Sequence, residues 1–170
     1  MKDFDNLLAI ADRLLGPNGC PWDLKQTFFT LQPYLLEEAH ELIEAIDQEN
    51  PLKIAEELGD VLYVLIFAAK IGEKEGKFTM SDALQTVAEK LIRRHPHIFG
   101  EEKISSTEDV VRNWEEIKKK EGKANPISDI PATLPALARA QKVIHKLQRH
   151  KSPILQEKIS DHLPLYLEFR

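Results

Sequence analysis

Acidic side chains with a regular spacing are concentrated in one short part of the chain. Residues 37–60 contain nine acids and a single base. Glu38 and Glu41 are three residues apart, and Glu57 and Asp60 repeat that spacing, which places the two members of each pair one helical turn apart. Grouped carboxylates repel one another unless a cation lies between them. Hard oxygen ligands without a clear His or Cys partner favour magnesium, or manganese as a substitute, over zinc.

A solvated helix face is the ordinary explanation for any single acid of this kind. We assign Glu44, Asp47 and Glu49 to such a face. The two pairs, Glu38 with Glu41 and Glu57 with Asp60, border apolar stripes on consecutive predicted helices. This pattern makes a metal site as well supported as a solvated face for these four acids.

Helices must position these pairs, and apolar residues at helical spacing predict where they lie. We expect helices at about 3–15, from near Pro33 to about residue 49, at about 52–74, from Thr79 to before Pro96, from Ser106 to about residue 120, and around 137–147. No strand pattern of useful length is present, so the predicted fold is all-α, a helical bundle. If the second and third helices form a hairpin across Asn50 and Pro51, the two acid pairs face each other.

The third predicted helix is apolar on more than one face in its second half. Val64, Phe67 and Ile71 extend the apolar surface beyond the stripe that contains Leu58 and Leu65. Burial on two sides is expected for such a helix, by other helices or by a second subunit. If a second subunit covers this surface, a homodimer is the expected assembly.

Composition excludes several classes of protein. The chain has 170 residues and a net charge of -5, which suits one packed domain and argues against broad binding to nucleic acid. Its longest apolar run, Val61 to Ala69, is far shorter than the roughly 20 residues that cross a bilayer. Cys20 is the single cysteine, so no internal disulfide is expected, and a cytoplasmic protein is the default expectation.

Several short motifs together resemble the MazG family of nucleotide pyrophosphohydrolases. Glu37-Glu38-Ala39-His40-Glu41 and Glu57-Leu58-Gly59-Asp60 are similar to that family's Glu-Glu-x-x-Glu and Glu-x-x-Asp motifs. The segments Gly19-Cys20-Pro21-Trp22-Asp23, Arg93-Arg94-His95-Pro96-His97 and Trp114-Glu115-Glu116-Ile117-Lys118 also look like MazG segments. The resemblance covers roughly residues 4 to 150. Cys20-Pro21-Trp22 and His95-Pro96-His97 are closer to the first copy of the domain in long, two-copy members.

The resemblance implies an all-α fold, a homodimer or larger assembly, and hydrolysis of nucleoside triphosphates to monophosphate and pyrophosphate. It makes Glu38, Glu41, Glu57 and Asp60 magnesium ligands. It also implies nucleotide contacts from four further residues, Lys90, Arg94, Trp114 and Lys118. We expect a catalytic domain over residues 1–121, a linker over 122–135, and a C-terminal helix and tail over 136–170.

The sequence does not identify which acid orients the attacking water, and it gives only indirect indications for Trp22 and the histidines. Glu37 or Glu56 could orient the attacking water, although both could equally face solvent. Trp22, in a proline-containing loop, is expected to cover the core rather than stack on a nucleobase. His95 and His97 flank Pro96 and cannot share a helix face, which argues against zinc.

Other classes of function compete with the enzyme. A catalytically silent MazG-like dimerisation or regulatory domain is the main alternative, and metal-dependent turnover would separate the two. A nucleic-acid binder would rest on Arg93, Arg94 and Lys118 to Lys120, a short basic surface on an acidic chain.

Overall fold

The computed structural model describes residues 2–122 and 127–149, and these residues are organised by helices. The elements are α1 Lys2–Leu15, a 3-10 turn Asp23–Lys25, α2 Phe28–Asp47, α3 Pro51–Lys74, α4 Met80–Arg94, α5 Pro96–Phe99, α6 Thr107–Lys120 and α7 Ala136–Arg149. No strand occurs within the described residues. The predicted all-α fold is confirmed, and part of the predicted linker and tail, residues 123–126 and 150–170, lies outside the described residues.

The start of α2 corrects the prediction that this helix begins near Pro33. Thr27 is the N-cap: its side chain accepts a hydrogen bond from the Thr30 N–H at 3.3 Å, and the Thr30 hydroxyl accepts one from the Thr27 N–H at 2.8 Å. This reciprocal cap sets the start at Phe28. Pro33 therefore lies inside the helix, where its missing N–H removes one helical hydrogen bond. A Thr at the third helical position is not the usual Glu or Gln, so the sequence signal was weak.

Side-chain caps fix three other helix starts as predicted. The Asn50 side chain accepts from the Lys53 N–H at 3.3 Å before α3. The Thr79 hydroxyl accepts from the Asp82 N–H at 3.1 Å before α4, and the Ser106 hydroxyl accepts from the Asp109 N–H at 3.1 Å before α6. Each bond satisfies one of the free N–H groups of a first turn. The short helix α5 was not predicted, because four residues are too few to show a helical period.

The described residues divide into two compact units, one ending at Leu91 and one beginning at Ile92. In the first unit, α1, α2 and α3 share a core. Leu31, Phe67 and Ile71 are buried together, and Leu15 and Tyr63 pack against them. Two residues that were predicted on the second apolar face of α3, Phe67 and Ile71, are therefore core residues of the unit itself.

Much of the remaining apolar surface of the first unit is open to solvent. Leu58 and Leu65, on the predicted main stripe of α3, are 56% and 47% exposed. Helix α4 contains no buried residue, although Leu84 and Leu91 recur along it at helical spacing. The first unit therefore carries exposed apolar residues on both α3 and α4.

Candidate active site

A tight turn brings the two acid-bearing helices of the first unit side by side. Glu49 adopts a left-handed backbone conformation with φ of 52°, and Asn50 then caps α3 with Pro51 in its first turn. Helix α2 runs up to this turn and α3 runs away from it, which produces the predicted hairpin. Glu38 and Glu41 on α2 can thus meet acids on α3 at the same level.

Three of the four predicted metal ligands meet in one cluster. One carboxylate oxygen from each of Glu38, Glu41 and Glu57 lies within 4.8 Å of the others. Glu57 is only 3% exposed, Glu38 is half-buried, and Glu41 is exposed, so the cluster opens from the helix interface towards solvent. We refer to these three residues as the acidic cluster. Its oxygen atoms can share one small cation.

The pKa values within the acidic cluster are those expected for crowded carboxylates. The pKa of Glu38 is raised by desolvation first, and then by the negative charges of Asp60, Glu41 and Glu57. The pKa of Glu41 is raised mainly by the charge of Glu57. Both shifts oppose the ionised form, and a bound cation would reverse them.

Asp60 lies one turn beyond Glu57 on α3 and is exposed. Its oxygens are not among those grouped within 4.8 Å, but its charge is the largest of the charge effects on the pKa of Glu38. The structure therefore places the fourth predicted ligand at the edge of the acidic cluster. Glu37 and Glu56, the two candidates for orienting water, are also exposed.

Lys53 brings a positive charge to the acidic cluster. The Lys53 Nζ lies 2.7 Å from the Glu57 Oε1 and 3.7 Å from the Glu56 Oε2. Hydrogen bonding to Glu57 is the largest cause of the raised pKa of Lys53. This contact was not predicted, although Lys53 is the single base among the nine acids and lies four residues before Glu57, a spacing that brings side chains together on a helix.

The predicted nucleotide contacts fall in both units. Lys90 is half-buried on α4, at the end of the first unit. In the second unit, the Arg94 Nη2 donates to the Glu121 Oε2 at 2.5 Å, and the Arg93 Nε donates to the Glu121 Oε1 at 2.7 Å. These two arginines hold the pKa of Glu121 down at about 2. The pairing joins the end of α4 to the residue that follows α6, and no sequence pattern pointed to it.

Trp114 and Lys118 are neighbours on α6. The Trp114 ring is 38% exposed, so it is accessible from solvent rather than enclosed as a core anchor. The Lys118 Nζ lies 5.8 Å from the centre of that ring and 3.6 Å from the Glu115 Oε1. A flat ring with an adjacent ammonium group suits a nucleotide, although a plain surface pair has the same geometry.

Trp22 does not cover the core as expected. Its ring is 52% exposed and meets the Tyr34 ring edge to face, with 5.6 Å between centroids. The two rings border a cavity of about 140 Å³ that Glu38 of the acidic cluster also lines. This cavity was not predictable from the sequence, because its walls come from three separate elements.

Comparison with known proteins links these features to one family. The profile of the MazG nucleotide pyrophosphohydrolase domain matches residues 26–99, which contain the acidic cluster. A nucleoside triphosphate pyrophosphohydrolase of Escherichia coli K12 is 43% identical over 148 residues, which are 84% of this chain and 56% of the relative. A nucleoside triphosphate pyrophosphohydrolase/pyrophosphatase MazG of Thermotoga maritima is 46% identical over 143 residues, which are 82% of this chain and 54% of the relative.

An uncharacterised protein of Bacillus subtilis, YabN, is 46% identical over 144 residues, which are 83% of this chain and 29% of that protein. The chain thus spans between 29% and 56% of the length of these three curated relatives. Among the described residues, none of the helices combines the length and the apolar character that crossing a membrane requires.

A solved structure shares the fold. The crystal structure of a MazG-related protein from Thermotoga maritima superimposes with a TM-score of 0.60 and 36% identity, over 68% of this chain and 98% of the neighbour. The sequence matches, the helical architecture and the motifs that contain the acids all indicate the same family. The chain belongs to the MazG family.

Proposed function

We propose that this chain hydrolyses nucleoside triphosphates to a nucleoside monophosphate and pyrophosphate, with magnesium as cofactor. The observation that carries the proposal is the meeting of Glu38, Glu41 and Glu57, from two helices, within 4.8 Å. Two curated relatives named for this activity support the reaction type. Removal of abnormal nucleotides in the cytoplasm is the role we infer for it.

The donor set of the acidic cluster suits magnesium. All three side chains offer hard carboxylate oxygens, and Asp60 stands close enough to supply a fourth. The raised pKa values of Glu38 and Glu41 indicate that the single ammonium group of Lys53 leaves negative charge unbalanced. Manganese accepts the same ligands and is expected to substitute. Bound magnesium would polarise the phosphoryl oxygens of the substrate and offset the charge of the leaving group.

The remaining acids are candidates for handling water. Attack by water at the α-phosphorus forms one P–O bond and breaks the bond to the oxygen that bridges the α and β phosphates. A carboxylate must orient that water and accept its proton. We propose Glu37 or Glu56 for this role, because both are exposed beside the acidic cluster and the Glu56 Oε2 lies 3.7 Å from the Lys53 ammonium.

The basic residues are proposed to bind the charged end of the substrate. Lys90 and Arg94 would neutralise phosphate oxygens, and the guanidinium fork of Arg94 suits a bidentate contact. Arg94 is paired with the Glu121 carboxylate, so a phosphate would compete with that carboxylate for the guanidinium group. Trp114 and Lys118 are proposed as further nucleotide contacts, since the ring is accessible and the ammonium lies beside it.

The active form is proposed to be a homodimer or a larger homo-oligomer. Leu58 and Leu65 on α3, together with Leu84 and Leu91 on α4, leave apolar surface exposed in a single chain. A second copy is the simplest partner that would cover such a surface with matching apolar residues.

Hydrolysis in oxygen-18 water tests the bond that is cleaved. Attack at the α-phosphorus places the label in the nucleoside monophosphate and none in pyrophosphate. Glu41→Gln and Asp60→Asn should abolish turnover at saturating magnesium with the fold intact, whereas Glu44→Gln, an exposed acid on the same helix α2, should not. Label in orthophosphate would overturn the proposal, and an oligomer that binds no metal and turns over nothing would support the silent regulatory domain.

A further inference from the structure

A side pocket opens beside the acidic cluster, and its size fits one six-membered aromatic ring. The cavity has a volume of about 140 Å³, and five of its lining residues matter here: Trp22, Asp23, Tyr34, Glu38 and Tyr63. A cavity of roughly 150 Å³ holds a benzene molecule in a well-studied engineered protein. Glu38 belongs both to this side pocket and to the acidic cluster, so whatever fills the pocket lies next to the proposed metal.

One polar group of the side pocket lacks the partner that a buried group normally has, and a carboxylate lines the same pocket. The Tyr63 hydroxyl is buried and forms no hydrogen bond with any described residue. Asp23 lines the same pocket and is only 9% exposed. Leaving a buried polar group unpaired is unfavourable, and a ligand that forms a hydrogen bond with the Tyr63 hydroxyl would remove that cost.

Asp23 and Tyr63 line the same cavity and can therefore act on one ligand. The pKa of Tyr63 is raised by desolvation first and then by the negative charge of Asp23. Asp23 is held at the first position of the 3-10 turn, where its backbone carbonyl accepts from the Gln26 N–H at 3.0 Å. Tyr63 is held by packing of its ring against Phe67, with 6.0 Å between centroids. Neighbouring elements therefore fix a carboxylate and a hydroxyl in the same pocket.

We propose that the side pocket receives the nucleobase of the triphosphate, and that Asp23 and Tyr63 select bases with an exocyclic amino group. This inference rests on the proposed function. Base and α-phosphate are separated only by the sugar, so a base site must lie beside the site that binds the phosphate. Trp22 and Tyr34 supply aromatic surface at the rim, and base stacking on such rings is tolerant of base identity.

Selection follows from what each side chain can donate or accept. A carboxylate only accepts hydrogen bonds, whereas a tyrosine hydroxyl can also donate one. Guanine fits best, because its ring N–H and amino group can both donate to Asp23 while its carbonyl oxygen accepts from Tyr63. Adenine and cytosine provide an amino donor and an adjacent ring acceptor. Uracil and thymine have one N–H between two carbonyl oxygens, and the Asp23 carboxylate would repel at least one of these.

The test compares Tyr63→Phe and Asp23→Asn with the wild-type chain on dGTP, dATP, dCTP and dTTP at saturating magnesium. We expect wild-type kcat/KM to be at least about tenfold higher for dGTP than for dTTP, the ratio that one charged hydrogen bond supplies. Tyr63→Phe should lower the value for dGTP about tenfold, and Asp23→Asn about 10- to 100-fold, with changes under about threefold for dTTP. Asp47→Asn, an exposed acid on α2, is the matched control and should change nothing.

Binding and stability measurements separate the possible outcomes. Calorimetric affinities for the α,β-imido analogues of dGTP and dTTP should follow the same order as kcat/KM. Tyr63→Phe should not lower the melting temperature, since its hydroxyl has no partner within the described residues. Equal losses for all four nucleotides, or a lower melting temperature in Tyr63→Phe, would overturn the base-selection proposal while leaving the hydrolase proposal standing. Absence of any wild-type turnover would instead refute the proposed function.

Discussion

Replacing Glu38 by Gln should stabilise the metal-free protein and weaken its response to magnesium. Every cause that acts on the pKa of Glu38 raises it: desolvation first, then the charges of Asp60, Glu41, Glu57 and Glu37. The ionised side chain therefore opposes folding when no metal is bound. Gln keeps the size of the side chain and removes the charge, so the melting temperature in EDTA should rise.

The raised pKa of Glu38 also determines whether the stability of the metal-free protein rises or falls with pH. A carboxyl group whose pKa is raised by folding contributes stability that is fully present below its ordinary value of 4.5 and is lost as the pH rises through the raised value. Metal-free wild-type protein should accordingly become less stable as the pH rises from 4.5 towards neutrality. The slope should be smaller in Glu38→Gln, and saturating magnesium should suppress it in the wild type.

The size of the stabilisation by magnesium follows from the thermodynamic linkage between metal binding and folding. A ligand at 100 times its Kd stabilises the folded state by about 2.7 kcal/mol. For a chain of 170 residues this corresponds to a rise of about 5–10 °C in melting temperature. Loss of even an outer contact to a metal ligand weakens binding about 10- to 100-fold. Losing Glu38 itself should therefore reduce the gain, at the same magnesium concentration, to about 1.4 kcal/mol or less.

Thermal unfolding in EDTA, and then in magnesium at constant ionic strength, measures both effects. Glu44→Gln is the matched control, because Glu44 is exposed on the same helix and lies outside the acidic cluster. It should keep the wild-type response to magnesium. The reasoning fails if Glu38→Gln retains the full magnesium shift, if it melts lower than wild type in EDTA, or if the control loses as much.

Three further predictions concern the rest of the chain. The double variant Lys90→Ala, Arg94→Ala should lose about a hundredfold or more in kcat with little change in KM if these charges act in the transition state; a change confined to KM would contradict this. Sedimentation at micromolar concentration should show a species larger than 19.5 kDa, and Leu65→Glu should shift it to monomer; a wild-type monomer would exclude the proposed assembly. Gly72→Ala should lower stability by about 1–3 kcal/mol, because an added Cβ would lie 2.7 Å from the Phe78 ring; an unchanged melting temperature would mean that the ring moves freely.

The helices were largely predictable because their signals are local. Asn50, Thr79 and Ser106 each precede an apolar stripe, and each caps the helix that follows. Where the local signal was atypical, as in the Thr27 and Thr30 pair, the start of α2 was placed too late. The meeting of Glu38, Glu41 and Glu57 was also predictable from their spacing. In a helical hairpin, residues at similar distances from the turn lie next to each other on the two helices.

Features that depend on three-dimensional contacts were not predictable in the same way. Glu121 lies 27 residues from Arg94 and pairs with it only because a chain reversal brings them together. The side pocket needs the 3-10 turn, α2 and α3 at once, so neither Asp23 nor Tyr63 carried a signal of its own. The exposure of Leu58 and Leu65 likewise depends on tertiary packing, because the first unit forms its core cluster without them.

The α2–α3 turn gives the acid-bearing hairpin a sequence symmetry about Glu49. Glu41 and Glu57 are each eight residues from Glu49, and Glu38 and Asp60 are each eleven residues from it. One residue inserted beside Glu49 would rotate α3 by about 100° or displace it by about 1.5 Å relative to α2. The length of the turn therefore sets the register of the carboxylates, and a change in loop length, without any substitution of an acid, could separate ligands that are now matched in height.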